Sequence, residues 1–271
     1  MKRKYTYIIL VILVTAILYF VEKRLERSKE HYPQTKSSSS SGSTEFGEKY
    51  YPNSTTGTLV EHATFTLSYS EAHEQAEWVA YELKKEHISA NDFERPYFVQ
   101  DRKVKSKSAD WRNYKNSGYD RGHLCPAGDR KFDYNAFHET FLTSNISPQD
   151  HDFNSGVWNK LEQKVRFWAK KYDGVFVVTG GILESSLETI GDEGVSIPRE
   201  FYKIVVDASQ GKPKAIAFII PNRDTHRSFY DFVVTIDEIE TRTGIDFFKD
   251  LPTSEEEKLE REVDLKAWGK R

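Results

Sequence analysis

The sequence contains a single cysteine, Cys125, in 271 residues. One cysteine cannot form an intramolecular disulfide, so a disulfide framework is excluded and the core must be stable without a cross-link. The redox compartment is therefore not revealed by cysteine usage. Cys125 follows a histidine by two residues, which would suit a nucleophile, but a small packed thiol is the favoured interpretation.

The chain also lacks a strong charge imbalance and any evident internal repeat of 20 to 50 residues. Its 39 Lys and Arg against 42 Asp and Glu give a net charge of −3, so total charge does not indicate a nucleic-acid-binding protein. A charged fraction of 30% argues against a mostly membrane-embedded protein, whereas 38% hydrophobic residues can supply a substantial core. The length fits one catalytic domain of up to roughly 200 residues with extensions.

One uncharged apolar run opens the chain, from Tyr5 to Val21, with basic residues on both sides. As a helix, these 17 residues would just reach across the hydrocarbon layer of a membrane. Ala16 is the only Ala or Gly in the run, and the bulky Tyr19 and Phe20 follow it, which does not suit a signal-peptidase site. We therefore predict an N-terminal transmembrane signal-anchor over residues 1–23, with a cleaved signal peptide as the main alternative and a buried core helix as a further one.

Residues 24–50 are polar and include a serine run at positions 37–41, which predicts a flexible linker rather than an interaction tail. The domain would then occupy residues 51–271. Membrane anchoring would place this domain outside the cytoplasm, and signal cleavage would instead release a secreted or periplasmic protein. Because basic residues flank both ends of the apolar run, orientation is not fixed by charge.

Three ordered blocks carry the chemistry: Asp120-Arg121-Gly122-His123, then Asn145-x-x-Pro148-Gln149, then Asn154-x-x-x-Trp158-x-x-Leu161-Glu162. A histidine with a pKa near neutrality can take a proton from water, and an arginine can meet a phosphate. An Asn/Glu pair eight residues apart could hold a hydrated divalent cation. These are the parts that phosphodiester hydrolysis needs.

Local charge supports a polyanionic substrate. Residues 101–131 contain nine Lys and Arg against four Asp. Such a segment can follow phosphates without reading bases, so binding should be salt-sensitive and weakly sequence-selective. The acidic and histidine run at residues 150–152 has the composition of a metal cluster, but a polar loop before a helix is favoured because no matching distant ligands are apparent.

The patterning predicts strands and helices in alternation. Residues 59–69 have strand character, and residues 70–83 open as a short helix or turn that leads into a strand. The Asp120–His123 block should end a strand, a second extended segment should cover residues 139–146 until Pro148 stops it, and a helix should span residues 154–172. Further core strands are predicted at 174–183, 201–206 and 214–220, followed by a helix from residue 235 that ends near Gly244.

The three blocks resemble the sugar-non-specific DNA/RNA endonucleases of the ββα-metal type, a family that includes secreted bacterial nucleases and mitochondrial endonuclease G. The resemblance covers about Phe65 to Leu251, and three blocks in order are far more specific than a lone Asp-Arg-Gly-His. It implies an α+β, ββα-metal (His-Me finger) nuclease fold with a central, mostly antiparallel sheet flanked by helices. It also implies a metal-dependent endonuclease acting on DNA and RNA and leaving 5′-phosphate ends.

The resemblance assigns roles to four residues. His123 would be the general base, and Arg121 would bind substrate and stabilise the extra negative charge of the transition state, with a structural pairing to Asp120 as its alternative. Asn154 would be the single direct protein ligand of Mg²⁺, for which Mn²⁺ could substitute. Glu162 would act in catalysis by accepting hydrogen bonds from metal-bound waters.

Other positions are less well determined. Asn145 stands where the family has a site-organising asparagine and is assigned to substrate binding. Some family members carry a further catalytic arginine just before an upstream tryptophan, but no arginine lies in the four residues that precede Trp78. Arg112 or Arg102 would have to replace it, and Arg112 is assigned to substrate binding.

Two other functions stay open at this point. One is a membrane-tethered module for nucleic-acid binding or uptake that cleaves weakly or not at all. The other is a Mg²⁺-dependent phosphodiesterase acting on small molecules. A homodimer and an inhibitor protein stay open as partners.

Overall fold

The computed structural model describes residues 2–29, 49–209 and 211–270. Its first helix, α1 (Lys2–Lys29), covers the predicted signal-anchor and continues six residues past the predicted end at residue 23, because the Glu, Lys, Arg and Leu residues that follow are good helix formers. Within the described ranges, no helix combines the length and apolar character needed to cross a membrane, so the predicted membrane span is not supported. Most of the predicted linker, residues 30–48, lies outside the described residues.

Eleven strands are found in the described part of the chain. In chain order they are β1 (Leu59–Glu61), β2 (Thr66–Ser70), β3 (Gln75–Lys84), β4 (Asp120–His123), β5 (Ile146–Gln149), β6 (Gly174–Gly181), β7 (Thr189–Ile190), β8 (Val195–Ser196), β9 (Glu200–Asp207), β10 (Lys214–Pro221) and β11 (Val233–Val234). Seven of them form one antiparallel sheet in the order β1-β2-β3-β6-β9-β10-β11. The pairs β4–β5 and β7–β8 are separate antiparallel ribbons.

Five further helices follow in the described part of the chain. They are α2 (Tyr134–Glu139), α3 (His151–Phe153), α4 (Asn159–Lys171), α5 (Ile236–Thr243) and α6 (Thr253–Arg261). Short 3-10 turns cover Lys85–His87, Trp111–Tyr114, Ala127–Asp129, Thr143–Asn145 and Phe229–Phe232.

A hydrophobic core fills each side of the sheet. Along β6, Val175 and Val177 belong to one core and Phe176 and Val178 to the other, as the alternation of side chains along a strand requires. The first core also contains apolar residues of α4, and the second contains residues of α5 and α6. The central strands therefore read as continuous apolar runs because both of their faces are covered.

The β4–β5 ribbon leads directly into the helical segment. Asp150 caps the start of α3 by accepting hydrogen bonds from the backbone N–H groups of Asp152 and Phe153, each at 3.0 Å. A π-helical turn, Asn154–Trp158, then joins α3 to α4. Strand, strand and helix therefore follow one another as predicted, and the run at residues 150–152 is a helix start.

Two local predictions were wrong. The second strand is β5, starting at Ile146, because residues 143–145 form a 3-10 turn; Pro148 lies inside this strand, where a two-stranded ribbon tolerates a missing N–H. The helix is not regular from Asn154, since Gly156 (φ −95°, ψ −108°) interrupts the α-helical geometry and the regular part begins at Asn159.

The other predicted elements agree closely with the structure. Strands β6, β9 and β10 correspond to the three predicted core strands, although β6 ends two residues before the predicted end at residue 183. Helix α5 is capped at its start by the Thr235 hydroxyl and ends at Gly244, whose φ of 71° is the left-handed conformation that glycine adopts without strain.

Candidate active site

Strand β4 and the buried side chain of Gln149 fix the backbone of the Asp-Arg-Gly-His block. Gly122 pairs with Ser147 on β5, two residues before Gln149. A Cβ placed on Gly122 would lie 2.1 Å from the Gln149 side-chain carbonyl carbon, so no other residue fits without displacing Gln149. Glycine is therefore required here for close packing rather than for a special backbone conformation.

His123, the last residue of β4, projects into an aromatic pocket. Its ring lies edge-on to Phe141, with centroids 4.9 Å apart, and 5.6 Å from Phe98. Nε2 is buried and has no hydrogen-bond partner within the described residues. Burial, and secondarily the positive charge of Arg95, lower the pKa of His123 to about 3. The imidazole is therefore neutral at physiological pH and able to accept a proton.

Three arginines, which we call the arginine row, lie against aromatic rings around this histidine. Arg121 lies 5.3 Å from the ring centroids of both Phe98 and Trp111. The guanidinium of Arg112 also lies over the Trp111 ring, 4.8 Å from its centroid, and that of Arg95 lies 5.9 Å from the centroid of the Phe98 ring. Rings hold guanidinium groups through their faces, so the N–H donors at the edge of such a group can face an anion, and Arg121 Nε is one donor without a partner within the described residues. The row consists of Arg95, Arg121 and Arg112.

The cations of the row also affect one another. Arg121 is partly buried, its Nε has no partner within the described residues, and its pKa is lowered by burial and by repulsion from Arg95. Arg112 is neutralised in part by Asp110, whose carboxylate is 2.7 Å from it. A phosphate placed beside Arg121 would supply negative charge that compensates for the burial of its guanidinium and for the repulsion from Arg95.

Arg95 is a site residue that the sequence reasoning missed. The sequence has no arginine just before Trp78, where some family members carry a catalytic one, and it offers Arg112 or Arg102 as a replacement. The structure instead brings Arg95 close enough to His123 and Arg121 to shift the pKa of each. The available signal was an arginine followed closely by the aromatic Phe98, and Arg102 lies exposed on a turn.

Asn154, at the start of the π-helical turn, is oriented by Asp120 of β4. Its Nδ2 donates to Asp120 Oδ2 over 2.9 Å, and no described donor bonds its Oδ1. His151 Nδ1 lies 3.0 Å from the same carboxylate oxygen, which raises the pKa of His151. Asp120 thus takes up the N–H side of the amide, so that the oxygen side is the one available to a cation.

Glu162 lies one turn into α4, beside a group of buried charges. Arg166 donates to Asp129 over 2.7 Å, and Lys203 on β9 is 1% exposed, with its Nζ 4.5 Å from the Trp158 ring centroid. Burial and the Asp129 charge raise the pKa of Glu162 to about 7 against the opposing effect of Lys203 and Arg166. Sequence reasoning did not identify Lys203, because nothing in its neighbourhood along the chain distinguishes it from the other lysines.

The Asn145 side chain organises the backbone next to the ribbon. It is 0% exposed, and its side chain is fully engaged with backbone: Oδ1 accepts from Cys125 N (2.8 Å), and Nδ2 donates to the carbonyls of Cys125 (3.0 Å) and Thr140 (2.9 Å). This geometry gives no support to the predicted contact with substrate. Cys125 itself is buried and its thiol pKa is raised to about 12, which agrees with a packed residue and not with a nucleophile.

The oxygen donors present suit a hard divalent cation. An amide oxygen oriented by a carboxylate and a second carboxylate on the following helix turn are ligands of the type that Mg²⁺ accepts while keeping several waters. Asn154 would hold such an ion directly, and Glu162 would accept hydrogen bonds from its waters.

A ββα unit carrying a histidine on its first strand and an asparagine at its helix start defines a ββα-metal nuclease fold of the α+β class. A family model described as DNA/RNA non-specific endonuclease matches residues 42–254. The chain belongs to this family.

Its relatives include mitochondrial nucleases. It is 32% identical over 212 residues to nuclease EXOG of Mus musculus, covering 71% of this chain and 57% of that protein. It is 31% identical over 229 residues to the mitochondrial nuclease of Saccharomyces cerevisiae (76% and 70% covered) and 33% identical over 206 residues to endonuclease G of Caenorhabditis elegans (68% and 66% covered). The chain thus spans under two thirds of the length of EXOG.

A solved structure shares the fold. The crystal structure of an EndoG/EndoGI complex, which concerns EndoG inhibition, matches with a TM-score of 0.68 and 30% identity, covering 73% of this chain and 88% of that one.

Proposed function

We propose that this protein is a metal-dependent endonuclease that hydrolyses phosphodiester bonds within DNA and RNA. The observation that carries the proposal is the arrangement of a neutral, half-buried His123 beside the arginine row, on the same ribbon that orients Asn154 through Asp120. A base, an anion-binding surface and a cation-binding oxygen are thus supplied by one ribbon, the arginines beside it and the helical segment that follows.

His123 acts as the general base that removes a proton from the attacking water. Its lowered pKa keeps the ring unprotonated, although a base of very low pKa is also a weak one. A phosphate beside Arg95 and His123 supplies negative charge, which raises the pKa of the imidazole toward neutrality. Substrate binding therefore strengthens the base at the step that requires it.

Arg121 stabilises the additional negative charge that develops on the phosphoryl oxygens. Its guanidinium is held by two aromatic rings and carries a buried N–H without a partner within the described residues, so little rearrangement is needed when the anion arrives. Arg95 contributes a second cation on the histidine side. Arg112, paired with Asp110, contributes to binding of the flanking strand.

Mg²⁺, or Mn²⁺ in its place, supplies Lewis-acid stabilisation of the scissile phosphate and of the leaving 3′ oxygen when bound. Asn154 presents its amide oxygen because Asp120 engages the amide nitrogen. Glu162 is kept near ionisation at neutral pH by Lys203 and Arg166 and accepts hydrogen bonds from water.

The proposed substrate range follows from what contacts the nucleic acid. The cationic groups of the site stack on aromatic rings and face phosphates, and phosphate contacts carry no base sequence. The same chemistry serves DNA and RNA, and the ends left would be 5′-phosphates.

The test is nicking of closed circular plasmid and degradation of RNA by the purified full chain, with Mg²⁺ and with chelator. We expect wild-type protein to be active only with the metal and His123→Ala to lose activity by about 10²- to 10⁴-fold. His226→Ala, which alters an exposed histidine, is the matched control and should keep full activity. Tight, salt-sensitive binding of DNA by folded wild-type protein that does not cleave would instead support a binding module, and cleavage confined to small diesters would support a small-molecule phosphodiesterase.

A further inference from the structure

Helix α4 and the last described residues of the chain enclose a surface pocket of about 550 Å³. We call it the lysine pocket, because four of its seven lining residues are lysines and none is acidic. The lining residues are Lys164, Phe167, Lys171, Lys266, Trp268, Gly269 and Lys270. A chain with a net charge of −3 therefore presents a positively charged concave surface at this place.

The C-terminal segment is held by buried contacts in the position that completes the pocket. Trp268 is 1% exposed, and its ring packs against that of Trp168 with centroids 4.7 Å apart. Trp268 Nε1 donates to the Ala215 carbonyl over 3.1 Å, which ties the segment to β10. The backbone N–H of Lys270 donates to the Leu265 carbonyl over 3.0 Å, so the chain forms a turn around Trp268. The lysines on either side of this tryptophan are thereby fixed beside α4.

One flank of α4 supplies the opposite wall. Lys164, Phe167 and Lys171 are three and four residues apart, so they lie in one row along the helix. Glu162 precedes Lys164 by two residues, which turns it by about 200° around the helix axis, to the flank that carries Arg166. The row therefore faces away from Glu162, and α4 separates the lysine pocket from the proposed metal site.

The lysines of the pocket have few charged partners in the protein. Lys270 Nζ lies 3.9 Å from an oxygen of Asp231. Lys164, Lys171 and Lys266 form no ion pair within the described residues. Like charges that are gathered without acids repel one another, so a polyanion that enters the pocket interacts favourably with all of them.

Phe167 adds an apolar surface to this cationic wall. It is 52% exposed, and Lys164 Nζ lies 4.4 Å from the centroid of its ring. An exposed ring beside lysines is the combination with which proteins bind single-stranded nucleic acid, because the lysines follow the phosphates while the ring stacks on a base of any identity. The chemistry of the pocket therefore fits an unpaired strand.

The position of the pocket also favours a flexible strand. The path from the active site to the lysine pocket crosses α4, which is about 10 to 12 Å wide with its side chains, and the exposed Lys170 lies on the surface in between. A duplex has a persistence length of about 150 base pairs and cannot follow so tight a path. Its paired bases are also stacked on one another and do not reach Phe167. A single strand meets both requirements.

We propose that the lysine pocket is a second binding site for single-stranded nucleic acid. One base stacks on Phe167, and Lys164 and Lys171 bind the phosphates on either side of it. The choice of nucleic acid as the occupant rests on the proposed nuclease function. The pocket holds one part of a strand while another part of the same strand occupies the catalytic centre, so long single strands bind more tightly than the catalytic centre alone would bind them.

The experiment measures the affinity of the full chain for a labelled oligothymidylate of about 30 nucleotides, long enough for two sites, and for a duplex of equal length. Fluorescence anisotropy is recorded over a range of salt concentrations. The His123→Ala background and a chelator prevent cleavage. We expect Phe167→Ala to weaken binding of the single strand by about 5-fold or more and to leave binding of the duplex unchanged.

The charge of the pocket is tested with the pair Lys164→Gln/Lys171→Gln. Each phosphate contact on a single strand contributes about 0.7 to the slope of log Kd against log salt concentration, so this slope should fall by about 1.4. The matched control is Lys249→Gln/Lys258→Gln, which removes the same charge from two exposed positions near the second core. This control should keep the slope of its parent.

Several outcomes would overturn the proposal. They are an unchanged affinity for the single strand in Phe167→Ala, equal changes of slope in the two lysine pairs, or equal losses for duplex and single strand. Loss of binding to phosphatidylserine vesicles by Lys164→Gln/Lys171→Gln, with an unchanged slope on the oligonucleotide, would assign the pocket to a membrane surface instead. Since binding is measured without cleavage, wild-type protein that binds the strand but does not cleave it would contradict the proposed function alone.

Discussion

Asn154 donates its side-chain amide to Asp120 over 2.9 Å, and Asp120 lies three residues before His123 on the same strand. The proposed metal ligand is therefore positioned by the strand that carries the proposed base.

Replacing Asp120 by alanine should weaken metal binding. Without its acceptor, the Asn154 amide can rotate, and loss of a partner that orients a ligand typically costs 10- to 100-fold in metal affinity. The measurement is the Mg²⁺ concentration that gives half-maximal DNA cleavage. His151→Ala removes an exposed neighbour of the same carboxylate and should change this concentration little; equal effects of the two variants would contradict the orienting role of Asp120.

Replacing Arg95 by alanine should lower kcat/KM by about 10²-fold, because one cation is lost beside the reacting phosphate. It should also raise the pKa of His123, since Arg95 lowers it. A higher pKa leaves more of the base protonated at low pH, so the acidic limb of the pH profile should move to higher pH. Arg102→Ala, at an exposed turn, is the control, and a pH profile unchanged in Arg95→Ala would argue against this placement.

Replacing Gly122 by alanine should destabilise the ribbon by about 1 to 3 kcal/mol, because the new methyl group would lie 2.1 Å from Gln149. Denaturant unfolding measures the loss. The double variant Gly122→Ala/Gln149→Ala removes the side chain that clashes and should recover part of it. Additive losses in the double variant would show that the two residues are not in contact.

Replacing Lys203 by methionine should shift the pH dependence of metal binding. The pKa of Glu162 is raised to about 7, and the positive charge of Lys203 opposes this rise. Loss of Lys203 should therefore raise the pKa of Glu162 further. Glu162 then ionises only at higher pH, and the pH of half-maximal Mg²⁺ affinity should rise by about one unit. Lys212→Met, at an exposed position, should have no such effect; a pH dependence identical to wild type in Lys203→Met would refute the coupling.

The sequence predicted the catalytic unit well because its information is local. The Asp-Arg-Gly-His block, the following strand and the helix are contiguous, so the order strand, strand and helix could be predicted from the sequence. The core strands around residues 177, 204 and 217 were likewise predictable, since apolar β-branched runs between turn residues have few other uses.

What could not be predicted depends on contacts between distant segments. Arg95 joins the site because Phe98 packs against His123, and no spacing along the chain encodes that contact. Lys203 lies on a strand and Glu162 on a helix, and their electrostatic coupling depends on how the two elements pack. The motif predicts that Asn145 organises the site, but only the folded structure shows that its three partners are backbone groups of Cys125 and Thr140.

Those three bonds have a further consequence. They close the segment between Cys125 and Asn145 at its base, in the position where a small extracellular protein would use a covalent bridge. Hydrogen bonds of an amide do not react with thiols or oxidants. The conformation of this segment should therefore be the same in a reducing organelle and in an oxidising environment outside the cell.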